Sequence, residues 1–256
     1  LPQELAFPRY SRALSFTARA LMREAKGPVS AHSLQLLGQR WGVTTPWITQ
    51  IHTRSPQGNE EELATWMRNR LRSYQETHEV NTFGFDIQKE GDGPARRMVL
   101  LLQRKRLSHL PFPRRLKAGS TLVIAGHVDA QMESLEMVVT TPQSRVLRRK
   151  VMLMQGQQFK LSASLCRTRK DRGRYLVEFI GEDRHGPAVL SRFPITCEIP
   201  LSTHKLHLQP YVRTHPVNPR AFARAVFDQV NIYRQGLGRK PLKWSAAVAR
   251  AATVHS

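Results

Sequence analysis

Three runs between Phe159 and Ile199 alternate apolar with polar residues, and turn-forming residues separate one run from the next. In the first run, Phe159 and Leu161 fall on one face, while Lys160 and Ser162 fall on the other. A period of two is typical of half-buried antiparallel strands. The pattern therefore predicts three consecutive strands in this part of the chain.

Similar runs, bounded by Gly and Pro residues, extend this β-rich region over residues 81–200. Many short strands at this spacing predict an antiparallel immunoglobulin-like β-sandwich of about eight strands. The tryptophan that antibody-type domains bury is missing from residues 173–197, so that subtype is excluded. The five further strands are expected at residues 81–88, 97–103, 121–128, 135–140 and 146–154.

Residues 1–80 instead repeat their apolar positions every three or four residues, which is the spacing of amphipathic helices. Ser30 and Asn59 are suited to cap the N-termini of two of these helices. A further short helix is expected at residues 46–51. We therefore expect a small helical N-terminal unit. Its core is expected to be anchored by Trp41, Trp47 and Trp66.

Residues 201–218 contain two prolines and weak periodicity, which predicts a linker. Asn218 and Pro219 are suited to the cap and the first position of a helix. A second helix is expected from Ser245 to His255. The predicted fold class is thus α+β and multidomain, with residues 219–256 forming a separate helical C-terminal segment.

The net charge is +21, from 40 Lys and Arg against 19 Asp and Glu. Residues 1–80 hold 10 basic and 7 acidic residues (+3), residues 81–200 hold 21 and 11 (+10), and residues 201–256 hold 9 and 1 (+8). Such a charge either serves solubility alone or attracts an anionic glycan, a lipid surface or an acidic subunit. The candidate anion-binding residues are Arg104, Lys105, Arg106, Arg148, Arg149 and Lys150.

Neither of these two basic runs contains an aromatic residue, which argues against a platform for stacking single-stranded nucleic acid. Nucleic acid is therefore the least favoured of the anionic partners. The longest unbroken apolar run, residues 98–102, is too short to cross a bilayer. No transmembrane segment is expected.

Cys166 and Cys197 each belong to one of the two outer alternating runs. A disulfide between them would close a loop of 31 residues (197 − 166) and stabilise the fold by about 3–4 kcal/mol. Disulfides persist outside the cytosol, which predicts a periplasmic or extracellular protein after removal of a signal peptide. The alternative is a pair of free, buried thiols in a cytosolic sandwich.

Residues 217–256 contain N-x-x-R at Asn231 and Arg234, G-x-x-P-L-x-W ending at Trp244, and A-x-x-H-S ending at Ser256. This pattern resembles the start of a CAP domain in its bacterial SCP-like form. The superfamily comprises cysteine-rich secretory proteins, antigen 5 and plant pathogenesis-related proteins. The resemblance implies the beginning of an α-β-α sandwich. More loosely, residues 81–200 are similar to the β-rich region that precedes the CAP module in some exported bacterial proteins.

The resemblance also implies a cavity formed by two histidines and two acidic residues, often around a divalent metal. Only His255 matches that set, at the position of the first histidine, and the other three would lie beyond Ser256. A lone imidazole cannot form a metal site that needs three or four ligands. We therefore expect neither a metal nor a cofactor within this chain.

Catalytic motifs are missing from the sequence: it has no G-x-S-x-G elbow, no H-E-x-x-H and no phosphate-binding glycine loop. The pair His204 and His207 matches no zinc-binding spacing and is interpreted as solvated linker histidines. No catalytic residues are assigned, and no enzymatic activity is expected of this chain by itself.

Three functional hypotheses follow. The first is an exported, non-catalytic envelope or extracellular protein, in which the basic sandwich binds an anionic surface polymer or an acidic subunit of a larger assembly. In this hypothesis the chain also carries a CAP module. The second is the accessory half of a CAP-domain hydrolase whose catalytic residues follow Ser256. The third is a basic nucleic-acid-binding protein, whose affinity would fall steeply with salt.

Overall fold

The structure, a computed structural model, describes residues 7–201, 208–211, 219–236 and 239–255. The chain divides into two compact units, residues 1–211 and 212–256. Its fold is α+β, with more residues in strands than in helices. Among the described residues, no helix combines the length and the apolar character that a bilayer crossing requires.

The N-terminal part of the first unit is a four-stranded sheet with helices on both faces. The strand order is β1-β3-β4-β2, in which β1 runs parallel to β3 and the other pairs are antiparallel. The elements are β1 (Arg9–Tyr10), α1 (Arg12–Glu24), α2 (Ala31–Arg40), β2 (Thr49–Ser55), α3 (Glu60–His78), β3 (Thr82–Lys89) and β4 (Arg96–Gln103).

Strand β4 is nearly continuously apolar because both of its faces are covered. Val99 and Leu101 pack into the core that lies under α1 and α2. Leu100 and Leu102 point to the opposite face and pack against Leu71 of α3. Two separate cores, one on each side of β4, therefore hold this layered region together.

The prediction of a purely helical unit in residues 1–80 is corrected by this sheet. The expected short helix at residues 46–51 is absent, and β2 instead pairs along β4 in antiparallel register. Ile51 and the threonines of β2 favour strands, and pairing with β4 outweighs the local spacing. The long helix α3 and its cap are confirmed, since the Asn59 side chain accepts hydrogen bonds from the Glu61 and Glu62 N–H groups at 3.0 and 3.2 Å.

The expectation that tryptophans anchor the N-terminal core is wrong for two of the three residues. Trp41 is 41% exposed and Trp47 is 75% exposed. Both residues come after the end of α2 at residue 40, so neither belongs to the buried face of that helix. Trp66 is half-buried beside the core under α3. Leucines such as Leu14 and Leu37, which are fully buried, fill the core instead.

Two sheets packed face to face form the rest of the first unit. One sheet has the order β10-β7-β5 and the other has the order β6-β12-β11-β8-β9. The strands are β5 (Leu107–His109), β6 (Arg115–Leu116), β7 (Ser120–Val128), β8 (Ser134–Thr140), β9 (Val146–Lys150), β10 (Gln158–Cys166), β11 (Gly173–Asp183) and β12 (Gly186–Cys197).

The inward residues of both sheets form a single core, confirming the alternation seen in the sequence. Phe159, Phe179 and Phe193 lie at its centre, with successive ring centroids 5.5 and 6.3 Å apart. Cys166 in β10 and Cys197 in β12 form a disulfide, with their Cα atoms 5.5 Å apart. The predicted disulfide is thus confirmed, and it joins one sheet to the other.

The sandwich begins later in the chain than residue 81. The first two predicted strands, β3 and β4, belong to the N-terminal sheet, while two short strands, β5 and β6, join the sandwich. Alternation predicts that a segment is a strand but does not identify its partner, which explains the difference. The strand expected at residues 146–154 ends at Lys150.

Four residues of the predicted linker, 208–211, are described, and they belong to the first unit. The Ser30 N–H donates to the Gln209 carbonyl at 2.8 Å, and the Tyr211 N–H donates to the Pro28 carbonyl at 2.9 Å. This part of the linker is therefore held in place by backbone hydrogen bonds. Its remaining residues after Leu201 lie outside the described part of the chain.

The second unit contains the two helices that the sequence predicts. The Asn231 side chain accepts from the Leu242 N–H at 2.7 Å and donates to the Leu242 carbonyl at 3.1 Å. Phe227 and Trp244 meet edge to face, with ring centroids 5.1 Å apart. These contacts join the first helix to the segment before the second. The helices are α4 (Pro219–Gly236) and α5 (Ala246–His255).

Candidate anion-binding surface

The first predicted basic run, residues 104–106, lies in the connection from β4 to β5. Arg104 forms a salt bridge with Glu79, and Arg106 forms one with Asp183 at the end of β11. The Arg106–Asp183 pair is largely buried, and the hydrogen bond from Arg106 holds the pKa of Asp183 below its ordinary value. Arg106 therefore has a structural role, and the exposed Lys105 is the one member of this run without a salt bridge within the described residues.

The second predicted run lies on β9, an edge strand on which every residue is exposed. Arg148 pairs with Glu136 at 3.0 Å, and Arg149 donates a hydrogen bond to the Ser162 carbonyl of β10. Charged side chains on an edge strand also block pairing with other chains. Four of the six predicted cations are thus already engaged, and the two runs lie on separate elements.

A third group of cations, which is not among the predicted anion-binding residues, lies at the disulfide end of the sandwich. Its members are exposed, and none forms a salt bridge with another described residue. We call this group the basic end. It comprises Arg115, Lys117, Arg167, Arg169, Lys170, Arg172 and Arg174.

Strand pairing and the disulfide bring these residues together. Arg115 of β6 and Arg174 of β11 both lie opposite Thr196 of β12, so the three residues form one row across the sheet. Two strand spacings put Arg115 and Arg174 about 10 Å apart on the same face. Burial and the neighbouring Arg174 also lower the pKa of the adjacent Arg114 from its ordinary value.

The loop between β10 and β11 has a defined shape. The Thr168 N–H donates to the Asp171 carboxylate at 2.9 Å, and the Lys170 N–H donates to the Thr168 hydroxyl at 3.2 Å. The bond from the Thr168 N–H is the main cause of the lowered pKa of Asp171. The Tyr175 hydroxyl donates to the Asp171 carbonyl at 2.8 Å, and Cys166 anchors the start of the loop. The loop cations are therefore displayed on a fixed backbone.

The sequence signal for the basic end is five cations within the eight positions 167–174. The alternation pattern predicts this run only as a turn between two strands, although acidic residues are scarce there. The segments 114–119, 166–175 and 196–198 contain two acidic residues, Asp171 and Glu198. Glu198 accepts a hydrogen bond from the Ala118 N–H at 2.6 Å. Both carboxylates therefore accept hydrogen bonds from nearby backbone N–H groups.

The structure does not test the role of His255 that the CAP resemblance implies. His255 is the last residue of α5, and its side chain lies outside what the structure describes. His204 and His207 lie outside the described residues as well. Within the described ranges, no three His, Cys, Asp or Glu side chains are grouped so that they could hold a metal ion.

Comparison with known proteins gives no family. No family model matches the sequence, and no curated protein matches it significantly. Among solved structures, the chain is similar to a Br derivative of BhCBM56 (8% identity, TM-score 0.28), covering 37% of this chain and 95% of that one. CopC from Methylosinus trichosporium OB3b has 10% identity and a TM-score of 0.25, with 38% and 99% covered. The fibronectin(III)-like modules of Clostridium thermocellum CbhA have 12% identity and a TM-score of 0.22, with 37% and 93% covered.

Proposed function

We propose that this chain is an exported, non-catalytic binding protein that holds an anionic cell-surface polymer at its basic end. The observation that carries the proposal is a disulfide-anchored loop whose exposed cations form no salt bridge with any described residue. Unpaired cations on one surface attract polyanions through a field that salt screens. Their spread over β6, β11 and the β10–β11 loop suits an extended ligand better than a compact one.

Calorimetric titration with a polyuronate tests this proposal, with neutral dextran as the control for uncharged carbohydrate. The test variant replaces Arg167, Arg169 and Lys170 with Gln. Each exposed ionic contact contributes modestly, so losing three should weaken polyuronate binding by about 10- to 100-fold. Affinity for the polyuronate should also fall as the salt concentration rises.

A matched variant tests whether the basic end, and not the net charge of the chain, is responsible for binding. It replaces three exposed arginines of α3, so it loses the same charge as the test variant, and it should bind the polyuronate like the wild type. Equal loss in both triple variants would show that net charge alone drives binding, which contradicts the proposal. Tighter binding to duplex DNA or to an acidic peptide than to the polyuronate would favour a different class of partner. The control substitutions are Arg68→Gln, Arg70→Gln and Arg72→Gln.

Export is part of the proposal and is supported by the disulfide, because such bonds persist in oxidising compartments. The immunoglobulin-like classification of the sandwich is proposed with it, on two packed sheets whose strands pair in antiparallel fashion except for the parallel pair β6–β12. Thiol titration of the native protein checks the compartment. Two free thiols in protein isolated from its source would contradict export.

The CAP assignment of residues 217–256 also belongs to the proposal. It is supported by contacts among the residues that carry the resemblance, since Asn231 binds the backbone of Leu242 two positions before Trp244. The gene sequence after Ser256 tests the assignment. A second histidine and two acidic residues are expected there, and their absence would contradict a CAP module.

A further inference from the structure

A cavity of about 330 Å³ lies in the first unit, away from the residues of the basic end. The C-terminal half of α1, the α1–α2 connection and strands β2 and β4 line it. Leu21, Met22 and Val99 contribute from the core under α1, and Lys26 lies in the connection. One part of the lining is therefore apolar and another part is basic.

Two arginines of the lining lie directly opposite each other in the β2–β4 pair, Arg54 and Arg97. Directly opposed side chains share one face of a sheet, and like charges in that position repel. Arg54 is neutralised by a salt bridge to Glu90, with a distance of 2.5 Å from Nε to Oε2. Arg97 has no salt bridge within the described residues, and its Nε atom is buried without a hydrogen-bond partner.

No acidic residue lines this cavity within the described part of the chain. Strand β3 places Asp86 on the same sheet face, opposite Val99. That carboxylate is already engaged, because it pairs with Arg19 at 3.2 Å and accepts a hydrogen bond from Gln88 at 3.0 Å. A buried donor without a partner is costly, and no described carboxylate offsets that cost. The Arg97 guanidinium is therefore the group of this lining that an external anion would neutralise.

The remaining titratable group of the lining, His52, is oriented as a hydrogen-bond donor towards Gln50. The Gln50 side chain is oriented by Val29, because its Oε1 accepts from the Val29 N–H and its Nε2 donates to the Val29 carbonyl. The same Oε1 therefore has to accept from His52 Nε2–H, at 3.2 Å. Burial, with a smaller effect from Arg97, lowers the pKa of His52 below its ordinary value.

We propose that this cavity binds a small organic monocarboxylate. Its carboxylate pairs with the Arg97 guanidinium, and its apolar chain lies against Leu21 and Met22. A planar guanidinium matches the two oxygens of a carboxylate, which favours this anion. The other cation of the lining without a salt bridge among the described residues, Lys26, is exposed to solvent, so Arg97 is the partly buried cation that a carboxylate would neutralise. The volume is at the lower end of small-molecule sites, which sets the size of the ligand.

Titration of the full chain with hexanoate, by calorimetry and by methyl NMR of Met22, tests the proposal. Hexanoate should bind and shift the Met22 methyl signal, and Arg97→Met should weaken binding at least tenfold. The variant is expected to fold, because it removes both the repulsion from Arg54 and the buried Nε atom that has no partner. Arg96→Met is the control, since Arg96 points to the other sheet face and pairs with Glu60.

Three outcomes would overturn the proposal. The first is no binding of hexanoate by the wild-type chain. The second is equal binding by the Arg97→Met variant. The third is binding of hexanoate without a shift of the Met22 methyl signal, which would place the ligand outside this cavity. The wild-type measurement of the Met22 methyl signal stands by itself, so a poorly folded variant leaves the proposal testable.

Discussion

The disulfide between Cys166 and Cys197 allows the stability of the sandwich to be predicted. The perturbation is the double substitution Cys166→Ala and Cys197→Ala. The bond closes a loop of 31 residues, and restricting that loop in the unfolded chain contributes about 3.7 kcal/mol at 25 °C. Both side chains are fully buried, so their truncation also loses packing and the total loss should be at least this large.

Hydrogen exchange of the β11 and β12 amides measures this loss in the sandwich itself, which contains no tryptophan to report on it. When the exchange rate is proportional to the population of the open state, lowering the free energy of unfolding by about 3.7 kcal/mol raises the exchange rates by about 500-fold. The β4 amides at Leu100 and Leu101 belong to two other cores and serve as the internal control. Their rates should rise much less.

Adding a reductant separates the disulfide from the lost side-chain volume. The reductant should accelerate exchange in the wild type towards the level of the double variant, and it should leave the double variant unchanged. A change below about tenfold at the β11 and β12 amides would refute the reasoning, because the bond would then contribute less than about 1.4 kcal/mol.

Three other predictions concern the N-terminal sheet, the second unit and pH. A Cβ atom on Gly84 would lie 2.5 Å from the Leu14 Cβ, which is too close. Gly84→Ala should therefore lower the free energy of unfolding by about 1–3 kcal/mol, measured by urea unfolding. An unchanged urea midpoint would contradict this close contact. Asn231→Ala removes two hydrogen bonds to Leu242 and should speed exchange of the Leu242 amide by at least tenfold, whereas unchanged protection would contradict their role. Burial lowers the pKa of His109 below 6.5, so the unfolded chain binds the proton more readily and stability falls as pH decreases through about 6.5. Melting temperatures at pH 7.5 and 5 should therefore differ less in a His109→Gln variant, and an equal difference would show that His109 does not contribute.

The sequence shows where the cations of the candidate site lie along the chain, but it does not show which of them have acidic partners. The five cations between residues 167 and 174 are visible in the sequence, as are the cysteines that anchor their loop. Whether a cation is free depends on its partners, which local spacing does not encode. Arg106 pairs with Asp183, 77 positions away, and Arg104 pairs with Glu79. The two predicted basic runs are therefore largely engaged, whereas the cations of the run predicted as a turn form no salt bridge among the described residues.

The sequence by itself determined the local structure of the sandwich strands and of most helices. Alternation between residues 158 and 197 corresponds to strands, and Ser30 and Asn59 cap helices, because these signals depend on near neighbours. Tertiary structure decided that β2 and β3 flank β4, and it assembled the Arg97 cavity from α1, β2 and β4. Periodicity encodes which side of a segment is buried, whereas the partner that buries it is selected by packing across the whole unit.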